Sequence, residues 1–584
     1  MTISLLLGLC HALEVKKMTI LEMSDLHSFL AAEFHDLTPL GPNDEPKGTL
    51  GHVLEFYERL QQRDGVDTTY FLSSGDNHQG TSLSDAEKPI PGVTNIQLLF
   101  NYSGDNFISG IGNHDLDPVH SDWVRDETHS STDEVFRGRY LSTNVKLTNA
   151  TTNEQKDYFT NSRFLVRDVD GLKVMFFSVL EKTINYLPDW AINLDPATSL
   201  DAEFEAFYNA EKPDVIIDLI HAGLYTAYES SEHTMWVKLV NDRLLQIMNG
   251  VDIPIIHLHG HDHRRYESTC QNSTGDIIPN CVHYDIRANF QELAVISLNF
   301  TREFSNTTYT MNSSRYWISN TLPKLAKYFN LETFPCGETC QTVDSKVEDY
   351  IEEYSLRNPV AWSPTGHFLP KGDIKWWYAN STYGLFFYEL AEEVFGKQDF
   401  YICTGSMMKG GLSKGLIPGN DLWGYAPYDN HMVRVSGVTS KVLYGITHKN
   451  KDPPSTDVSE WPSLPTESGG VHFVYPWLNT SDITKEYTLN VVSYDIGRLS
   501  SACAKFGANC VFEEFTNDSA RTRIHAAILK KLPLDAQVQE TSKDGLPTWA
   551  WAIIVIGICT VATVVSSIVL TKKNKRRENA ETQV

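Results

Sequence analysis

Basic residues are scarce in this sequence: 49 Lys and Arg face 74 Asp and Glu in 584 residues, a net charge of -25. That deficit argues against nonspecific binding of a nucleic-acid polymer, which needs a basic footprint along the phosphates. It leaves a small phosphorylated substrate open, because phosphate affinity can come from metal ions. Cysteine is also sparse, nine in all, and no C-x-x-C pair occurs. A zinc module built on paired thiolates is thereby disfavoured. No internal repeat and no long low-complexity tract appears, which sets aside solenoid and disordered architectures. What remains is ordinary globular composition, 41% hydrophobic and 11% aromatic. The length exceeds one ordinary core, so two folded domains with appendages are expected.

Both ends carry apolar runs. Residues 1–12 resemble a short signal peptide, with Leu5–Leu9 as its apolar stretch but no basic segment before it. The other reading is the start of a buried strand. Trp549–Leu570 is 22 residues without a charge, enough to cross a bilayer, and Lys572, Lys573, Lys575, Arg576 and Arg577 follow. The positive-inside rule puts that tail in the cytosol and the preceding chain on the lumenal or extracellular side. A cleaved lipid-anchor signal would end apolar instead. Nine Asn-x-Ser/Thr sequons, from Asn101 to Asn517, all precede the run. Six cysteines fall into close pairs, which suggests disulfides 270–281, 336–340 and 503–510 and an oxidising compartment. Cys403 is left over.

Five short stretches carry the chemistry: Ser24–His27, Gly75–His78, Gly112–Asp115, His221–Gly223 and Gly260–His263. Four directly follow an apolar, β-prone run, namely Met18–Met23, Tyr70–Leu72, Val215–Ile220 and Ile253–His259, and Gly112–Asp115 follows a weaker one, Phe107–Ile111. Carboxylate, amide and imidazole groups are thereby expected at the carboxyl ends of buried strands, where open α/β folds build their sites. Two metal ions about 3.5–4 Å apart need such a set with one shared ligand. An aspartate suits that bridge, since its two oxygens can serve two cations.

The spacing further predicts helices over Thr49–Arg63, Ile90–Tyr102 and Trp236–Met248, and strands over Lys173–Leu180 and Leu293–Phe300. Lys173–Leu180 brings no ligand and reads as scaffold. The segment with Cys270 and Cys281 reads as a stapled loop. Residues 314–362 read as a helical linker (Leu322–Phe329, Val343–Tyr354). A second unit follows over 363–532, with a helix at Gly384–Phe395 and strands at Asp399–Cys403, Met432–Ser436 and Tyr487–Ser493. The expected domains are thus 13–313, 363–532, a stalk at 533–548, a membrane helix at 549–570 and a tail at 571–584.

The five stretches resemble the calcineurin-like metallophosphoesterases, whose pattern reads D-x-H, G-D, G-N-H-[DE], H and G-H-x-H. Gly112-Asn113-His114-Asp115-Leu116-Asp117, and Gly75-Asp76 with Gly80-Thr81, are similar to the 5′-nucleotidase branch. The resemblance implies an α/β fold: a two-layered β-sandwich flanked by helices, joined to a smaller α+β C-terminal domain, here with a single transmembrane helix. It implies that Asp25, His27, Asp76 and His263 hold one divalent ion. Asp76, Asn113, His221 and His261 would hold the other, Asp76 bridging. A hydroxide shared by the two ions would attack phosphorus in line. His114 would face the phosphoryl group, oriented by Asp117, while Asp115 is structural and His78, His257 and His259 are supporting or packing residues. Oxygen and nitrogen ligands without thiolate suit Zn²⁺, Mn²⁺, Fe or Co²⁺. Substrate-binding residues are expected at Asn113, Lys409, Tyr428 and Asn430, although the family's later Gly-rich aromatic segment has no counterpart after Tyr494-Asp495. Lys409 stands where the family has Arg. Tyr428 reads equally well as a base-stacking ring or a core aromatic.

The expected activity is phosphohydrolysis, with a nucleotide as the foremost substrate. Alternatives are a phosphodiesterase or pyrophosphatase acting on cyclic nucleotides or nucleotide sugars, a protein phosphatase, or a non-catalytic glycoprotein. A similarity to a membrane-anchored fungal branch implies a vacuolar or cell-surface location.

Overall fold

The protein is represented by a computed structural model. It describes residues 13–30, 45–78, 95–116, 138–148, 155–157, 163–182, 191–223, 231–288, 290–303, 307–366, 382–404, 412, 414–426, 430–448, 452–453, 455, 472–475 and 485–534. The signal-like start, Asp117, Lys409, Tyr428 and the apolar run at 549–570 lie outside them. Among the described residues no helix is long and apolar enough to cross a membrane.

The strands of the first sheet are β1 (Leu13–Glu22), β2 (Thr69–Ser73), β3 (Phe107–Gly110) and β4 (Tyr140–Leu141). A small antiparallel sheet follows from β5 (Val145–Thr148) and β6 (Gln155–Asp157), then β7 (Phe164–Val169) and β8 (Leu172–Leu180) open the second large sheet. After β9 (Ala191–Asn193), which pairs with β5, come β10 (Val215–His221), β11 (Ile255–His259), β12 (Tyr266–Gln271) and β13 (Ile277–Asp285). The chain then returns to the first sheet through β14 (Glu292–Glu303) and β15 (Thr310–Ser319). The two large sheets run β15-β14-β1-β2-β3-β4 and β12-β13-β11-β10-β8-β7.

In both, the four strands that matter are parallel: β1 through β4 in one, and β8, β10, β11 and β13 in the other. Their carboxyl ends therefore point the same way within each sheet, which gathers the loops that follow them. Period-two alternation divides each strand between two cores. Met18, Ile20, Tyr70, Leu72, Val174, Ile217 and Leu258 fill the space between the sheets. Leu21 and Phe71 face the helix Leu50–Asp64, while Met175, Phe177 and Ile216 face the helices Ala202–Glu211 and Ser231–Met248.

The predicted helix at 49–63 becomes Leu50–Asp64 because Thr49 caps it: its hydroxyl accepts from the His52 amide at 3.2 Å. Two expectations are corrected. Ser314–Ser319 belongs to β15, paired along β14, and not to a helical linker. The helix Glu338–Glu353 buries Val343, Val347 and Tyr350 in the first core, so it is packed structure as well as connection. The Cys270–Cys281 segment is likewise no loop. It is an antiparallel pair, β12 against β13, with the disulfide joining the strands. The other two expected disulfides, 336–340 and 503–510, are also present. Farther along, Glu486–Val492, His431–Thr439 and Val511–Ser519 form a three-stranded antiparallel sheet, giving a mixed α/β chain overall.

Phe71 tests the first core. It is fully buried between the rings of Tyr57 and Phe107, at 5.4 and 5.2 Å between centroids. Phe71→Ala is expected to cost about 3–5 kcal/mol, read as a lower urea midpoint for the first unfolding transition.

Candidate metal centre

Each predicted stretch sits immediately after its strand. β1 leads to Asp25 and His27, β2 to Asp76, β3 to Asn113 and His114, β10 ends in His221, and β11 leads to His261 and His263. The turns there are not ordinary. Asp25, His27, Asp76, His261 and His263 all have positive φ, between 49° and 83°. For non-glycine residues this region costs about 1–2 kcal/mol each and persists only where surroundings enforce it. The enforcement is visible. The Asp25, His27 and Ser28 amides donate to the Gly75, Asp76 and Asn77 carbonyls at 3.0–3.1 Å, knitting the two loops together. Asp115 then clasps the β2 and β3 loops, its carboxylate accepting from the amides of Asp76, Asn77, His78 and Gly112 at 2.8–3.1 Å.

This backbone aims the side chains at one place. His221 Nε2 lies 3.1 Å from Asp76 Oδ2 and 3.1 Å from Asn113 Oδ1. His261 Nδ1 lies 2.9 Å from the same Asn113 oxygen. On the other side, His27 Nε2 is 3.1 Å from His263 Nε2 and 3.9 Å from Asp76 Oδ2, while His263 Nε2 is 3.3 Å from Asp25 Oδ1. Two donor groups share Asp76: Asp25, His27 and His263 on one flank, and Asn113, His221 and His261 on the other. His221 Nδ1 donates to the Ser74 carbonyl at 2.9 Å, which leaves Nε2 as the inward nitrogen.

Electrostatics fit divalent cations. Burial pushes the Asp25 carboxyl up, but the hydrogen bond and charge of His263, with His221, outweigh it and hold it at about 2. Burial also acts on Asp76, yet the charges of His221 and His114 hold it well below the carboxylate range. Burial drops His27 to about 3 against the pull of Asp76. Burial would lower His221 too, but the Asp76 carboxylate raises it to about 9. In the metal-free chain a proton on His221 thus neutralises Asp76, and cation binding must release it. Asp25 Oδ2 is buried without a hydrogen-bond partner among the described residues, an acceptor suited to a cation. Glycine keeps the approach open: a Cβ at Gly260 would sit 2.6 Å from that oxygen. The donor set fits divalent cations.

No family model matches the chain. A secreted protein of Arthroderma benhamiae is 25% identical over 260 residues, 43% of this chain. The match spans about a third of that curated relative's length, 35%. Among solved structures, the 5′-nucleotidase of Candida albicans superposes with a TM-score of 0.65 at 14% identity, covering 88% of this chain and 98% of its own. A putative 5′-nucleotidase of Staphylococcus aureus gives 0.60 at 14% identity over 89% and 98%, and a 5′-nucleotidase precursor of Thermus thermophilus 0.58 at 14% over 88% and 97%. The chain has the 5′-nucleotidase fold.

Within this 5′-nucleotidase fold, Glu181 escaped the sequence reading. It follows β8, taken as a ligand-free scaffold strand, and its carboxylate is buried 3.7 Å from His261 Nε2. Because His261 turns Nδ1 towards Asn113, the Glu181 carboxylate stands beside its other nitrogen, at ion-pair and not hydrogen-bond distance. Asn144, whose amide Nδ2 bonds the Leu180 carbonyl at 2.7 Å, holds the end of β8 in place. Glu181→Gln is expected to weaken divalent-ion binding about 10–100-fold, read as the dissociation constant in a metal titration.

The remaining predicted residues are placed less closely. His114 is half-buried, its ring 5.3 Å from that of His27, and its amide donates to Asp76 Oδ1 at 2.8 Å. Asn430 accepts from the Ser493 hydroxyl at 3.4 Å and from the Ala520 amide, contacts within the second unit itself. His78, His257 and His259 are buried.

Proposed function

We propose that this chain is a metal-dependent phosphohydrolase acting on a phosphate ester, with a nucleotide as its substrate. The observation that carries the reading is the convergence of Asp25, His27 and His263 with Asn113, His221 and His261 on the shared carboxylate of Asp76. Divalent ions bound by those groups would offset phosphoryl charge and lower the pKa of a water towards neutrality. Asp76 would be the ligand that both groups of donors share. Its Oδ1 also orients the His114 backbone, which sets His114 at the rim, where its imidazole can protonate a leaving oxygen or bind a phosphoryl oxygen. Asp117 is the proposed partner of that imidazole.

Fold alone does not choose the substrate. A sulfate thiohydrolase of a Thermus species superposes with a TM-score of 0.55 at 13% identity. The nucleotide assignment rests on the second unit, with Lys409, Tyr428 and Asn430 as proposed contacts to phosphate and base. We place the catalytic unit on the lumenal or extracellular side of a type I anchor, at the vacuole or cell surface, consistent with the three disulfides.

The test offers nucleoside monophosphates, cyclic nucleotides, nucleotide sugars and a phosphopeptide to the purified chain with Mn²⁺, Zn²⁺ or Co²⁺. Nucleoside monophosphates are expected to turn over fastest, and chelation to abolish turnover. Hydrolysis confined to diesters would move the assignment to a phosphodiesterase. No metal-dependent hydrolysis of any ester would remove the enzyme reading.

A further inference from the structure

The outer face of the second sheet hides a polar cluster that the candidate centre does not use. Asp218, His257 and His283 stand side by side on the parallel strands β10, β11 and β13, in register. All three are buried, with the helix Ser231–Met248 packed on the same face. The Cys270–Cys281 disulfide, also buried, abuts them: a nitrogen of His257, a nitrogen of His283 and the Cys270 sulfur lie within 4.8 Å of one another.

The hydrogen bonds fix where His259 and His283 keep their lone pairs. His259 Nδ1 lies 3.0 Å from the Ala222 carbonyl, which only accepts, so that nitrogen carries the proton. His259 Nε2 is then an acceptor, and the nitrogen that meets it at 2.9 Å, His283 Nδ1, is a donor. That leaves Nε2 of His283 bare. His257 Nδ1 faces Asp218 Oδ2 at 3.2 Å; burial raises the Asp218 carboxyl well above its ordinary value, so the shared proton can sit on either partner, and His257 Nε2 is buried without a partner among the described residues. Burial holds His257 at about 3 and His283 well below its ordinary value, so both stay neutral. His257 and His283, each with one nitrogen within 4.8 Å of the Cys270 sulfur, complete a Cys₂His₂ donor set with Cys281, and Asp218 and His259 hold the two rings through their Nδ1 atoms.

We propose that Cys270, Cys281, His257 and His283 form a thiol-dependent zinc site, separate from the candidate centre and closed while the disulfide is intact. Opening it takes a two-electron reductant: a dithiol, which exchanges with the Cys270–Cys281 bond and becomes a disulfide itself, or a phosphine, which takes oxygen from water and becomes its oxide; either leaves two protein thiols. Zinc then binds with loss of both thiol protons. The product, one Zn²⁺ with two thiolates and two neutral imidazoles, carries no net charge and so suits a buried location. Zinc bonds of about 2.0–2.3 Å place tetrahedral ligand atoms a little under about 4 Å apart, so the bonded sulfurs must separate, and the imidazole nitrogens, within 4.8 Å of the Cys270 sulfur, can then close in.

The test uses cobalt as a probe of thiolate ligation in the purified full chain. The background is Cys336→Ser/Cys340→Ser, because His52 stands beside that second disulfide. After reduction with a phosphine, Co²⁺ is expected to give a thiolate charge-transfer band saturating near one equivalent, absent before reduction and bleached by Zn²⁺. The candidate centre has no thiolate and cannot produce it. His257→Gln and His283→Gln are each expected to weaken the band's apparent affinity at least about tenfold. In the reduced native chain, Zn²⁺ is expected to slow alkylation of Cys270 and Cys281, a readout needing no core substitution. A missing band, a band indifferent to both histidine changes, or alkylation unaffected by zinc would each overturn the site.

Discussion

Replacing Asp76 with asparagine is expected to lower turnover of every phosphate ester at least about 10³-fold, on the order of 4 kcal/mol of transition-state stabilisation. The change is nearly isosteric, and an amide oxygen can still accept the His114 amide, now at 2.8 Å. What disappears is the charge on the one carboxylate that both donor groups share. Deletion of His263 or His261 would disable one flank, whereas Asp76→Asn weakens both. The same variant should bind fewer divalent ions per chain while keeping its far-ultraviolet dichroism, which separates lost ligation from lost folding. Unchanged turnover would remove the bridging role.

The metal-free chain offers a second readout of Asp76→Asn. His221 is raised from 6.5 to about 9 when folded, with Asp76 as the group that raises it. A raised folded value means stability fully present below about 6.5 and lost as pH climbs through about 9. Wild type stripped of metal should therefore lose melting temperature across that window, and Asp76→Asn should lose much less.

The sequence was informative about the centre because its residues come in clusters at strand ends. Apolar runs such as Val215–Ile220 are readable as buried strands, and a ligand that directly follows one inherits its position. Glu181 shows the limit of that logic. It too follows a buried strand, but a lone glutamate carries no pattern, and only the pairing of β8 with β10 brings it beside His261. The β12–β13 pair was missed for a different reason. Strand β12 is largely exposed and polar (Tyr-Glu-Ser-Thr-Cys-Gln), so its order comes from pairing and the disulfide and not from periodic burial. Ser314–Ser319 has the same character, an exposed edge strand whose alternation is hidden among polar residues. Helix ends shifted by a residue or more because capping decides them, as at Thr49.

Gly112→Ala should rank next in effect, although it removes no ligand. A Cβ at Gly112 would stand 2.1 Å from Asp76 Oδ1 and 2.2 Å from the Asp76 amide nitrogen, the latter a backbone atom that cannot swing away. The β2 loop is as tight from its own side, since a Cβ at Gly75 would meet the Gly112 nitrogen at 2.3 Å. The two loops therefore pass at a separation only glycine permits, and Asp115 bonds both across it. Forcing them apart stretches that clasp and moves Asp76 away from His221. Overpacking of this kind costs about 1–3 kcal/mol of stability. The larger loss is functional: displacement of the shared carboxylate should weaken metal binding at least about 100-fold and bring turnover down with it. Gly497→Ala supplies the contrast, being a helical position with nothing within 4 Å of the added carbon. It should leave metal affinity unchanged and stabilise by up to about 1 kcal/mol. Normal metal affinity in Gly112→Ala would mean that the loops can separate without moving Asp76, and the close crossing of β2 and β3 would then be incidental to the centre.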